Sequence, residues 1–430
     1  MATAETIRAK IAPLQSEMEE YPGLWEMFER CFMNTIETTV QQTPGDTFVI
    51  TGDIPAMWLR DSTAQVLHYL RFADDKAVAE MIEGLIARQV KCILRDPYAN
   101  AYNREPSEYK PYDDTPRASH WVWERKYETD SLCYPLWLAE KYLRKTGNTG
   151  FLGGDFPRML RLVVEVLRQE QDHASSSYRF ERKDCPPSDT LTNGGTGAPV
   201  AHTGMTWSGF RPSDDACQYG YLVPSNLFAC RAMESARYLA EKMGDASLAQ
   251  EAKTLGEAIK EGVLRYGVLT HPSFGQIYAY EVDGLGNANL MDDANVPSLL
   301  ALPYLEVCQP EDELYRNTRS FVLSEENPYF YQGTYARGVG SPHTPQGYIW
   351  PISLCVQAMT STDMREIAGI LNTLMSTHGD TGFMHESFDP NAPEKYTRSW
   401  FAWANSMFGE MLYRLHEQGS LKQVLALAKA

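Results

Sequence analysis

Apolar residues recur at three- and four-residue spacing through most of the chain, which is the mark of helices that bury one face. The periodicity predicts helices over 4–20, 24–40, 62–72, 77–94, 131–145, 156–172, 216–242, 247–266, 294–307, 311–323, 347–359, 364–375, 400–418 and 421–428. Strand signals are few. The clearest lies at Ile277 to Val282, followed by the turn residues D-G and G-N.

The connections between these helices alternate in length. Long polar, aromatic-rich loops cover 41–61, 95–130, 173–215, 267–293, 324–346 and 378–399, and short turns cover 73–76, 146–155, 243–246, 308–310, 360–363 and 419–420. Six long loops alternating with six short ones, at a period of about 50 residues, are expected of six helical hairpins closed into a ring. A ring sets all six long loops on one face, and long loops in a compact domain are usually functional. The expected architecture is therefore all-α, one domain over 1–430, with minor β-hairpins in the loops.

Composition narrows the ligand. With 39 Lys plus Arg against 56 Asp plus Glu, the formal net charge is −17. An acidic chain repels nucleic acid and anionic membrane surfaces, so a neutral or small ligand is expected and neither of those partners is. The 24 Tyr and nine Trp leave aromatics beyond what a core needs. Eight scattered cysteines, without a C-x-x-C pair and mostly in apolar helical runs, read as buried thiols in a reducing compartment. No window approaches the roughly 18 apolar residues of a membrane span, and MATAETIRAKIAPLQSEMEE lacks the apolar core of a signal peptide. A cytoplasmic location is the expectation.

The long loops carry the candidate chemistry. The first holds TGDIPAMWLRDS, with Trp58, Arg60 and Asp61; the second ends WVWERKYETD, with Arg125. The third, TGMTWSGFRPSDDA, brings together Trp207, Arg211, Asp214 and Asp215. The fourth ends LMDDANVPS, with Asp292, Asp293 and Asn295. GVGSPHTP supplies His343, TGFMHESFDP supplies Glu386, and TRSWFAWANS supplies Trp403. This is the chemistry of a sugar subsite. Indoles cover the apolar face of a pyranose, Arg and Asp bind hydroxyls through charge-assisted hydrogen bonds, and a carboxyl can exchange a proton with a glycosidic oxygen. Each item alone has a plainer reading: Ser213, Asp214 and Asp215 suit a helix cap, and a Trp at helical spacing suits a core. Their convergence favours a carbohydrate cleft. Nucleotide-binding glycine motifs, metal-binding His clusters and a G-x-S-x-G elbow are all missing from the sequence, so no cofactor and no metal are expected.

TGDIPAMWLRDSTAQ, GMTWSGFRPSDDA, NLMDDANVPSLL, GSPHTP, TGFMHESF and RSWFAWANS resemble glycoside hydrolase family 125, the exo-acting α-1,6-mannosidases, over nearly the whole chain. The resemblance implies an (α/α)6 toroid and a metal-independent, configuration-inverting hydrolase acting on the terminal mannose of an oligosaccharide. It implies a general acid in the Asp-Asp pair, Asp214 with Asp215 as alternate, and a general base at Glu386. Inversion needs the two carboxyls about 6.5–9.5 Å apart, so that a water fits, and burial or an anion at Asp215 would keep Asp214 protonated. Arg60, Asp61, Arg125, Arg211, Asp292, Asp293, Asn295 and His343 are then the candidates for the sugar hydroxyls, with Trp58, Trp207 and Trp403 for its apolar face. Two other readings stand beside this one: a toroid enzyme of glucoamylase or unsaturated uronyl hydrolase type, and a catalytically silent glycan-binding protein.

Overall fold

Helices are the main regular structure of residues 2–429, the part of the chain that the computed structural model describes. Their ends follow local chemistry. Asp75 caps Lys76–Arg95 by accepting from the N–H groups of Ala77 and Val78 at 2.9 and 3.4 Å. Val223–Met243 stops at Gly244, whose left-handed φ of 78° ends a helix without steric penalty. The next residue, Asp245, caps Ala246–Tyr266 by accepting from Leu248 N–H at 3.0 Å. Two residues thus suffice to fold these two helices back on each other as an antiparallel pair.

The remaining helices pack in two series. Leu59–Leu67, Thr129–Thr146 and Val223–Met243 touch in succession, and so do Pro351–Met359, Ala402–Glu417 and Leu59–Leu67. Between the two runs lies the segment 294–307. It is tied to both: the Tyr134 hydroxyl donates to the Val296 carbonyl at 2.9 Å, Arg231 pairs with Glu306 at 2.9 Å, and Tyr304 donates to Glu410 at 3.0 Å. Helices Leu24–Thr38, Lys76–Arg95, Phe156–Gln169 and Met364–Ser376 pack against them. One apolar core runs throughout, with Trp137, Trp350 and Trp403 among its largest buried side chains.

Three expected helices differ most. The 294–307 stretch forms turns, because Pro297 and Pro303 lack an N–H and the Asp292 carboxylate takes the N–H groups of Leu299 and Leu300 at 2.8 and 2.9 Å. The helix expected from 216 begins only at Val223, with Pro224 in its first turn where a missing N–H is harmless. Ahead of it Tyr221–Leu222 is a strand. At the N-terminus, Pro13 divides the periodicity into Ala2–Ile11, the 3-10 turn Ala12–Leu14 and Gln15–Met18.

Small antiparallel sheets stiffen the long loops. The predicted strand at Ile277 to Val282 is two: Gly275–Tyr278 pairs with Val268–His271, and Glu281–Val282 lies between Tyr221–Leu222 and Ala288–Asn289. Another sheet orders Met57–Trp58, Ala101–Tyr102 and Val122–Glu124 side by side, binding the first long loop to the second. A further seam joins the first long loop to the last: Asp53 N–H donates to the Trp400 carbonyl at 3.3 Å, and Ala402 N–H to that of Thr51 at 3.0 Å. Gly52 sits in this seam at φ 135°, where an added Cβ would lie 2.4 Å from the Trp400 carbonyl oxygen.

Candidate active site

The long loops surround a cavity of about 430 Å³, within the range of small-ligand sites. Its first wall grows from the Met57–Trp58 strand. That pairing directs Trp58 inward and starts the Leu59–Leu67 helix, so that Arg60 and Asp61 stand in its first turn. Arg60 is 2% exposed and is held by carboxylates at the start of the neighbouring Thr129–Thr146 helix. Its Nη1 donates to Glu128 at 2.6 Å and to Asp130 at 3.2 Å. A buried guanidinium is tolerable only with such partners, and helix N-termini favour the acids that supply them.

The second wall is the turn Arg211 to Asp215, closed by hydrogen bonds from Asp214 N–H to the Arg211 carbonyl (2.9 Å) and from Arg211 N–H to the Asp215 carbonyl (2.8 Å). Asp214 has a left-handed φ of 69°, a conformation that Asp tolerates better than most residues. Lys126, itself buried, donates to its carbonyl at 2.7 Å. The side chain reaches the cavity and accepts from Trp58 Nε1 at 3.4 Å and Asn100 Nδ2 at 3.2 Å, with Arg60 at 3.9 Å.

Glu386 comes from the last long loop, beside the strand Ser387–Asp389. Arg398 lies 3.7 Å from it and is itself held by Asp53, with Nε 3.0 Å from Oδ1. Among the described residues no hydrogen bond or ion pair joins Asp214 to Glu386. These two carboxylates of the cavity, among several, are tethered by different elements.

Charge in the cavity is unevenly distributed. Burial pushes the Asp61 carboxyl up to about 6 despite the neighbouring Arg60, and its Oδ2 lacks a hydrogen-bond partner. Burial, opposed by Arg60 and reinforced by the charge of Asp214, keeps Glu128 far above the usual carboxylate range. At Asp214 burial works upward too, but Lys126, Arg60 and the hydrogen bond with Glu128 outweigh it and hold the carboxyl at about 2. Glu128 and Asp214 therefore form a carboxyl pair that retains a proton. At His343 burial works downward, but the hydrogen bond to Asp215 (3.1 Å) and the charges of Asp215, Asp214 and Glu386 lift the imidazole to about 9.

Nine of the residues singled out in the sequence line this cavity: Trp58, Arg60, Asp61, Asp214, Asp215, Asn295, His343, Glu386 and Trp403. Five do not. Trp207 is a core residue, stacked on His173 at 3.5 Å between ring centroids. Arg125 is turned to Asp96 (2.6 Å) and Arg211 to Glu281 (2.6 Å). Asp292 is spent on the backbone of Leu299 and Leu300. Asp293 supports the wall from behind, accepting from the Ser213 hydroxyl at 2.9 Å and from Asn295 Nδ2 at 3.1 Å. The expected protonation of Asp214 is also corrected: burial is outweighed by Lys126 and Arg60, Asp215 turns to His343, and the proton rests on the partner of Asp214, Glu128. Sequence reasoning noted Glu128 and Asp130 among the acids of the second long loop but passed over them as site residues. It also passed over Tyr112, Lys126, Arg182 and Asp189, which no motif marks but which line the cavity or stand against it.

A family model described as metal-independent alpha-mannosidase (GH125) matches residues 21–413. A solved structure from Streptococcus pneumoniae, described as a metal-independent alpha mannosidase in a non-productive complex with alpha-1,6-mannobiose, is 46% identical. It superposes with a TM-score of 0.92 over 99% of this chain and 98% of that one. The Meiotically up-regulated gene 157 protein of Schizosaccharomyces pombe is 36% identical over 440 residues, 96% of this chain and 86% of the yeast protein. A bacterial glucoamylase complexed with acarbose shares the fold alone, at 12% identity and a TM-score of 0.62 over 94% of this chain and 57% of that one.

Proposed function

The chain belongs to the metal-independent alpha-mannosidase family GH125, and from that premise we propose that it removes terminal α-1,6-linked mannose from oligosaccharides by an exo-acting, configuration-inverting mechanism. The observation that carries the proposal is the pair of separately tethered carboxylates, Asp214 and Glu386, in one loop-walled cavity. Asp214 is the general acid and Glu386 the general base. The Asp214 side chain is 28% exposed toward the cavity, against 9% for Asp215, which is engaged by His343.

In this reading Glu128, which holds the proton of the pair, passes it to Asp214, and Asp214 delivers it to the glycosidic oxygen as the C–O bond breaks. Glu386 takes a proton from a water that attacks the opposite face of the anomeric carbon, and β-mannose and the free aglycone hydroxyl leave. Arg60, Asp61, Asn295 and His343 bind hydroxyls. Trp58 and Trp403 offer apolar surface to the ring.

We also propose that the helices form an (α/α)6 toroid in one domain, with the turns of 294–307 standing where one inner helix would be. The contact series through Leu59–Leu67 supports this. A cytoplasmic location is proposed on the eight free cysteines, of which Cys31, Cys92, Cys133 and Cys355 are buried. The direct test is proton NMR of α-1,6-mannobiose hydrolysis, recorded before mutarotation. The β anomer of mannose should accumulate first. Initial α-mannose would refute the acid and base assignment, and no mannose release would refute the activity.

A further inference from the structure

We propose that Tyr112 is the platform on which the aglycone sugar stacks, the unit from which the terminal mannose is cut; this deepens the exo-mannosidase reading and rests on it. Tyr112 lines the same cavity as Asp214 and Glu386, yet it is 44% exposed, one of the few large apolar side chains left open to that degree. One side of its ring is occupied. The Arg182 guanidinium carbon lies 3.6 Å from the ring centroid. Arg182 is in turn immobilised by Asp114 at 2.7 Å, Glu124 at 2.9 Å and Asp189 at 3.0 Å. A ring backed in this way loses little freedom when a ligand arrives, which is what a binding platform requires.

Its position follows from the acid. Lys126 donates to the Asp214 carbonyl and pairs with Asp189; Asp189 pairs with Arg182; and Arg182 backs Tyr112. The Ser188 carbonyl also accepts from Ala216 N–H at 2.6 Å, fixing the segment before Asp189 to the turn that carries Asp214. Tyr112 is therefore coupled to the side of the cavity from which the leaving oxygen is protonated. Glu386, by contrast, is tied to Arg398 on the last loop. In an inverting reaction the aglycone departs on the acid's side, away from the base. An aromatic face there meets the C–H surface of the sugar that leaves, as aromatic side chains with one apolar face open commonly do.

The test compares two substrates. α-Mannosyl fluoride fills the mannose site but has no aglycone sugar, whereas α-1,6-mannobiose has one. Tyr112→Ala should lower the ratio of kcat/KM for mannobiose to that for the fluoride by about tenfold or more, the usual loss for a buried aromatic contact, mainly through KM. Tyr112→Phe should restore the ratio, because the ring and not the hydroxyl stacks. An unchanged ratio overturns the proposal, and so does an equal loss on both substrates, which would mean a merely structural role. If the unaltered protein releases mannose from neither substrate, the exo-mannosidase reading falls instead.

Discussion

Asp214 combines a left-handed backbone, a carbonyl clamped by Lys126 and a carboxyl that shares a proton with Glu128. Its role is distinguishable from that of Glu386 by the leaving group. Asp214→Asn and Glu386→Gln should each lower kcat on α-1,6-mannobiose by roughly 10²- to 10⁴-fold. On α-mannosyl fluoride, whose leaving group needs little protonation, the Asp214 variant should recover most of its rate and the Glu386 variant should not. If Asp215→Asn shows the larger loss on mannobiose, the acid is Asp215. His343 supplies a second residue-level expectation. With its imidazole held near 9, it is charged at neutral pH, and the stabilisation from its ion pair is complete below pH 6.5 and lost as pH rises through about 9. Asp215→Asn removes the bonded partner, so the NMR titration midpoint of His343 should fall by well over a unit. A midpoint that stays near 9 would show that the remaining anions suffice.

At the scale of elements, periodicity located the long helices well, because burial of one face is written directly into spacing. Leu24–Thr38, Lys76–Arg95, Thr129–Thr146 and Ala246–Tyr266 lie within two residues of expectation at either end. It failed at 294–307, where the apolar run is real but Asp292 and two prolines divert the backbone. The site was legible to the extent that side chains near helix starts face the cavity, as Arg60, Asp61 and Trp403 do. Trp207 and Arg211 were misleading, since a short motif does not reveal on which side of its own turn each residue lies. Tyr112 and Arg182 meet only through folding. The seam between first and last loops gives an element-level prediction. Gly52→Ala places a Cβ against the Trp400 carbonyl in a conformation that disfavours side chains, at about 2 kcal/mol. Over 430 residues that moves Tm by only about 2 °C. The sharper readout is kcat, which should fall because Asp53, next to Gly52, holds the Arg398 that faces Glu386.

For the molecule as a whole, five of the long loops and Asn295, just past the fourth, line one cavity, and the exo action proposed above requires that only a chain end enters it. Linear α-1,6-mannan should therefore shorten by single mannose units, with no internal fragments during early turnover. Oligosaccharides appearing alongside mannose would refute the exo-acting reading.

The seam between the Thr51 and Trp400 segments also sets an order of events in biosynthesis. The helix Leu24–Thr38 packs on Ala402–Glu417, so residues near one end of the chain wait for those near the other. Contacts of such sequence separation slow folding, and a nascent chain carries Asp214 long before Glu386 and its Arg398 have left the ribosome. Refolding should accordingly show helix formation well ahead of the first turnover, with activity returning only as Trp25, in the first of these helices, reaches its final fluorescence.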